Sequence, residues 1–168
     1  YADAHNNLGT VYQELGKYME AFFSYQKSIL IDPNHIKAIK NVSILSKRIH
    51  LTNVNATNSD SLKKLFLFLF RRNDINHKDI FFNAKFLFLK GESVEQVEQL
   101  LNSDSSILEN KIIQDLLKEE LFLLMLQKSL IVDHFFENIL TKLRYEILFV
   151  LTDSGEDTLN EYFDFIIS

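Results

Sequence analysis

Residues 2–35 read ADAHNNLGTVYQELGKYMEAFFSYQKSILIDPNH, and two helical periods inside this stretch decide the fold. Small or apolar residues recur at Ala4, Leu8, Val11, Tyr12 and Leu15, the three-and-four spacing of one helix face. Gly16–Lys17 interrupts the pattern, and a second period follows at Ala21, Phe22, Tyr25, Ile29 and Leu30. Asp32–Pro33 closes it, because proline disfavours the α conformation in the residue before it. The stretch therefore predicts two antiparallel helices of about equal length joined by a tight turn.

The spacing within this hairpin resembles the tetratricopeptide repeat (TPR) family, whose period is about 34 residues. Leu8, Gly9, Tyr12, Gly16, Tyr18, Ala21, Tyr25 and Pro33 stand where that family places its signature residues. In such a hairpin Gly9 and Ala21 are small where the two helices cross, Tyr12 and Tyr25 fill the space between them, and Pro33 stops the second helix. His5 and Ser28 depart from the pattern, standing where the family usually has Trp and Ala.

Working outward, residues 36–49 begin a second copy in register. Ile36, Ala38, Ile39 and Val42 repeat the first helix, and Ser43 takes the place of the small Gly9. The register then fades, so this helix reads as the packing partner or cap that a single repeat needs to bury its face. Residues 52–61, TNVNATNSDS, are polar and rich in turn formers, the best linker in the chain. Beyond it the patterns stay helical. Asp60 or Ser61 can cap a helix to Arg72, and Asn76 one over His77–Leu89 that Gly91 ends. Ser93 with Gln96 spells a capping box for a short helix to Leu101. A long helix is expected over Ile107–Ser129, entered through Asp104. Asp133 caps another to about Leu151, Asp153–Gly155 breaks it, and Glu156–Ile167 forms a last helix. The expected fold is all-α: a TPR hairpin continuing into a helical solenoid or bundle. Residues 1–50 hold the repeat and its partial second copy or capping helix, 51–61 link, and 62–168 form a further helical region.

Residues 119–162 are also similar to the region that joins TPR repeats to a class I methyltransferase domain in bacterial fusion proteins. Leu130, Asp133, Glu137, Leu140, Thr141, Leu143, Arg144 and Leu148 carry that likeness, with Asn160–Glu161–Tyr162. It implies a fragment of a larger bacterial protein in which any catalytic domain follows Ser168.

Composition narrows the function classes. A net charge of −5 argues against general nucleic-acid binding, which calls for a basic face. Cysteine is absent, which removes thiolate metal sites and thiol nucleophiles and suits a reducing, cytoplasmic setting. The longest apolar runs, Leu65–Phe70 and Leu121–Leu126, fall far short of the roughly 18 residues of a membrane span. Phe66–Phe70 and Phe81–Phe88 carry phenylalanine at helical spacing, which a buried face requires.

No catalytic pattern stands out. Gly9, Gly16, Gly91 and Gly155 are isolated, so there is no phosphate-cradling loop and no nucleotide fingerprint. His134 and Glu137 share a helix face, but Asp133 reads as a cap there and the pair as a solvated helix start. Glu119 and Glu120, being adjacent, point to different faces. No cofactor and no metal site are expected in the chain.

The candidate binding surface is the inner face of the first helix of each repeat. In the TPR family that face lines a groove for a partner protein or peptide. By repeat position it comprises Asp3, Asn6, Thr10, Gln13 and Glu14, then Lys37, Lys40, Asn41, Ile44, Lys47 and Arg48. The second set is a basic stripe that could grip a partner's carboxylates, and the family's carboxylate-binding subgroup uses Lys and Asn in comparable places. An ordinary solvated charged face is the competing reading. The reading is thus of a protein-interaction scaffold, without nucleic acid or membrane and with no bearing on oligomeric state.

Overall fold

The computed structural model describes residues 1–51, 56–88, 92–128 and 133–154, and these form helices and the turns between them. The chain divides into two compact units, Tyr1–Phe88 and Leu89–Ser168. The first holds α1 (Ala2–Glu14), α2 (Tyr18–Ile31), α3 (Ile36–Ser46), α4 (Ala56–Phe70) and α5 (Lys78–Lys85). The second holds α6 (Glu92–Leu101), α7 (Lys111–Leu117), α8 (Glu120–Lys128) and α9 (His134–Ser154).

α1 and α2 form the expected hairpin. Gly16 adopts φ +73° after α1, its N–H reaching the Gln13 carbonyl at 3.0 Å while the Lys17 N–H reaches Tyr12 at 2.8 Å. This pair of bonds satisfies the last carbonyls of α1 and reverses the chain, a turn that needs a residue comfortable at positive φ. α2 ends at Asp32, extended ahead of Pro33, and the Asp32 side chain accepts the Asn34 N–H at 2.9 Å. The hairpin closes on Tyr25, which is buried beside Gly9: a Cβ added at Gly9 would lie 2.5 Å from the Tyr25 ring. Ala21 is fully buried, and the Ser28 hydroxyl, where alanine is usual, donates to the Ala2 carbonyl at 2.8 Å. Tyr12 is only half-buried, so Tyr25 fills most of the inter-helix space.

α3 packs on α2 with Ala38, Ile39, Val42 and Ser43 buried, as the second copy requires. The rest of the unit differs from the linear reading. α4 starts at Ala56, so Asp60 and Ser61 lie inside the helix rather than capping it. Tertiary packing explains the longer helix: Ser61 accepts from Gln26 Nε2 at 3.0 Å, and Phe66 stacks on Phe22 at 6.5 Å between ring centroids. Residues 56–61 of the expected linker are therefore helical, and residues 52–55 lie outside the described residues. α4 and α5 belong to the same compact unit as the hairpin.

Asn83 fixes α5 to the end of α3. Fully buried, it donates from Nδ2 to the carbonyls of Ser46 (2.8 Å) and Ile49 (3.1 Å) and accepts the Leu51 N–H at 3.0 Å. One side chain thus satisfies three backbone groups where the second-copy register fades. α5 is shorter than the His77–Leu89 expectation. Asn76 Oδ1 accepts the Lys78 N–H at 3.2 Å at its start, and a turn over residues 86–88 follows it. Phe66 and Phe70 are core residues, whereas Phe82 is 46% exposed and meets the His50 ring edge-on.

In the second unit, the expected Ile107–Ser129 helix is two helices. Asn110, not Asp104, caps α7 by accepting the Ile112 and Ile113 N–H groups, and α7 stops at Lys118 before α8 begins. At about 100° per residue, a continuous helix would put Ile113 and Leu116 nearly opposite Leu121, Phe122 and Met125. All five are buried, and the break at Lys118–Glu119 lets both sets reach the core. Asp133 caps α9 as expected, accepting the Phe135 and Phe136 N–H groups at 3.1 and 3.3 Å. One turn of α9 then ties the unit together. Lys142 Nζ donates to the Leu100 and Ser103 carbonyls at 2.7 and 2.6 Å, a cation at the carboxyl end of α6. Glu146 accepts from Ser106 Oγ (2.6 Å) and from the N–H groups of Ile107 (2.8 Å) and Leu108 (3.3 Å). α9 runs on through Asp153 and Ser154, past the expected end near Leu151, while Gly91, the Ser93 side chain, Leu130, Gly155, the 156–167 helix and Asn160–Tyr162 lie outside the described residues.

Candidate functional site

The inner faces of α1 and α3 lie side by side because two cross-links join them. Asn41 Nδ2 donates to Asn6 Oδ1 at 3.1 Å. Asn6 is buried and Asn41 half-buried, so this amide pair forms the floor between the helices. At one end, His35 Nε2 meets Asp3 Oδ1 at 3.1 Å while His35 Nδ1 accepts the Ala38 N–H at 3.1 Å and caps α3. An acceptor role at Nδ1 leaves Nε2 carrying the ring proton toward Asp3. His35 therefore both starts α3 and positions it against α1, a role that its sequence position does not advertise.

Thr10 and Gln13 complete the α1 side. Both accept from the buried Tyr25 hydroxyl, at 3.4 and 3.1 Å, and Thr10 also donates to the Asn6 carbonyl at 3.2 Å. These polar side chains are thereby oriented by the same tyrosine that fills the hairpin. Lys37, Lys40 and Ile44 of α3 and Arg48 in the turn after it are exposed, Ile44 at 52%.

The structure alters the electrostatics expected of the basic stripe. Lys47 pairs with Asp79 of α5 at 3.1 Å, and Asp79 is largely shielded. Asp74, in the turn before α5, has its carboxyl held below the usual range by hydrogen bonds from Arg72, with Lys40 adding a smaller attraction. Arg72 grips that carboxylate with two bonds of 2.7 and 2.6 Å and is itself raised by them. Lys47 is thus paired within the chain, while Lys37, Lys40 and Arg48 make no ion pair among the described residues, Lys40 adding only a weak attraction to Asp74. Asp74 and Asp79 are more than thirty residues from Lys40 and Lys47 in sequence, and no spacing signal marks them as neighbours of the stripe.

Among the described residues, no cluster of three or more His, Asp or Glu is placed to hold a metal ion, and no helix is long and apolar enough to cross a membrane. Residues 2–35 match the tetratricopeptide repeat family. The α1–α2 hairpin is therefore a TPR, a unit characteristic of protein-interaction scaffolds, and the match spans one hairpin of the chain. No curated protein and no solved structure matches the sequence.

Proposed function

We propose that the surface shared by α1 and α3 binds a segment of another protein, whose acidic groups meet Lys37 and Lys40. The observation that carries this reading is the Asn6–Asn41 hydrogen bond, which sets two inner helix faces in register. Asn6 Nδ2 and Asn41 Oδ1 make no other hydrogen bond among the described residues, so the amide pair offers a donor and an acceptor to a peptide backbone. Thr10, Gln13 and the exposed Ile44 flank it, with Asp3 and Arg48 toward its ends. Lys47 supports α5 through Asp79 and takes a secondary part. Because Lys37 and Lys40 are exposed, their attraction for a partner carboxylate is sensitive to salt.

The test uses nonapeptides rich in Asp and Glu with a free C-terminal carboxylate, against the same peptides with Asn, Gln and a C-terminal amide. Calorimetry should detect the acidic set. Lys37→Glu with Lys40→Glu, and separately Asn41→Ala, should each weaken binding at least about tenfold, as expected for losing a charge-assisted or buried hydrogen bond, with helicity retained. Equal binding of the acidic and amide sets, or indifference to these substitutions, refutes the proposal. The likeness of residues 119–162 to the connecting region of TPR–methyltransferase fusions offers a second reading, a non-catalytic part of such an enzyme. It rests on that likeness alone, and nothing in α8 or α9 favours it.

A further inference from the structure

The seam between the end of α3 and α5 carries a cluster of rings that the core does not use. Lys47 pairs with Asp79 at 3.1 Å, and three residues further along each segment His50 meets Phe82 edge-on, 5.1 Å between ring centroids. Phe82 in turn meets Phe86 edge-on at 4.9 Å. Ile80 and Ala84 of α5 are buried, whereas Phe82 is 46% exposed and His50 is exposed beside it. The rings also end a row. Lys37, Lys40, Ile44 and Lys47 recur at three-and-four spacing, all four are exposed, and His50 follows them. One continuous surface thus runs from two cations, over an aliphatic side chain, to three aromatic rings.

We propose that His50, Phe82 and Phe86 anchor an aromatic side chain of the same acidic segment that Lys37 and Lys40 hold, an inference that rests on the function proposed for the α1–α3 surface. Charge selects this guest over a cation, the other ligand that exposed rings attract. Residues 1–88 carry twelve Lys and Arg against seven Asp and Glu, although the chain as a whole is acidic. Lys47 and Arg48 directly precede His50, and Asp79 is already paired with Lys47, so a cationic guest would meet like charge. An aromatic ring can instead join the edge-to-face set, while carboxylates beside it in the segment meet cations. The row also sets a spacing. Lys40 and His50 are ten residues apart, about 15 Å at helical rise, which an extended segment covers in about four or five residues. The partner is therefore a segment in which an acidic pair and an aromatic residue stand about that far apart.

The test gives the full chain peptides with two adjacent Asp residues and a Phe about five residues away, made in both chain directions, against the same peptides with Ser in place of Phe. In one direction the Phe should tighten binding at least about fivefold, the scale of a well-placed ring contact. The His50 ring resonances should shift with that peptide and stay put with its Ser counterpart, a readout on the unaltered chain that does not depend on any variant folding. Phe82→Ala and His50→Ser should each remove the Phe gain while leaving affinity for the Ser peptide within about twofold, the coupling expected only of groups in contact. No gain from Phe in either direction, a gain that survives both substitutions, or unmoved His50 resonances overturns the subsite. If acidic peptides still bind and still respond to Lys37→Glu with Lys40→Glu, that failure leaves the function proposed for the α1–α3 surface standing. Absence of binding by every peptide overturns both.

Discussion

Replacing Gly9 with alanine tests the hairpin directly, because two effects of opposite sign meet at one atom. In an open helix interior, alanine is favoured over glycine by about 0.8–1 kcal/mol. At Gly9 the new Cβ would stand 2.5 and 2.6 Å from two Tyr25 ring carbons and 3.0 Å from a third. The ring cannot swing aside cheaply, since Tyr25 is 1% exposed and its hydroxyl is bonded to Gln13 and Thr10. Overpacking of this kind costs about 1–3 kcal/mol, and displacing the hydroxyl adds about 0.5–1.5 kcal/mol. The clash outweighs propensity, and Gly9→Ala should destabilise the hairpin by about 1–3 kcal/mol. With two compact units, a whole-chain melt is not a two-state measurement. Hydrogen exchange of the α1 and α2 amides reads the local loss instead. Adding Tyr25→Leu should shrink the cost of the Gly9 substitution, a coupling expected only of residues in contact. Gly16→Ala gives the contrast. Nothing lies within 4 Å of its Cβ, but φ +73° makes it strained by about 1 kcal/mol whatever stands at position 25. Faster closing and greater protection in Gly9→Ala would show that the ring does not sit against α1, and the reasoning would fail.

Two further outcomes probe the contacts that sequence did not disclose. Asn83→Ala should cost about 2–4 kcal/mol by stranding the Ser46 and Ile49 carbonyls and the Leu51 N–H in a buried site, and Asn83→Asp should not rescue it, because a carboxylate cannot donate; exchange at Leu51 is the measurement. In the second unit, Glu146→Ala should remove the acceptor of three donors and speed exchange at Ile107 and Leu108, a loss of about 1–3 kcal/mol, while α1 and α2 amides stay unchanged.

The linear sequence carried the hairpin because every determinant of it is local. Gly16 supplies the positive φ of its turn, Pro33 ends α2, and Gly9, Ala21 and Tyr25 recur at the spacing by which two helices meet. The cap at Asp133 was legible for the same reason, as its side chain serves the amides two and three residues ahead, whereas His77 rather than Asn76 stands at the N-cap of α5 and the Asn76 side chain accepts only the Lys78 N–H among the described residues. The candidate surface was legible as a set of positions on two helix faces, but its charge state was not. Asp79 pairs with Lys47, and Asp74 lies close enough for a weak attraction to Lys40, only because the chain folds back onto α3, and that return is fixed by Asn83 bonding backbone more than thirty residues away. Likewise, nothing near Ser61 announces that α4 begins earlier, since its partners are Gln26 and Phe22 of α2. The split between α7 and α8 has a similar cause: two apolar sets that one straight rod would turn in opposite directions both have to be buried. Periodicity and turn chemistry thus determined where the repeat lies, and pairings between distant residues decided how far its unit extends and which of its charges remain open to a partner.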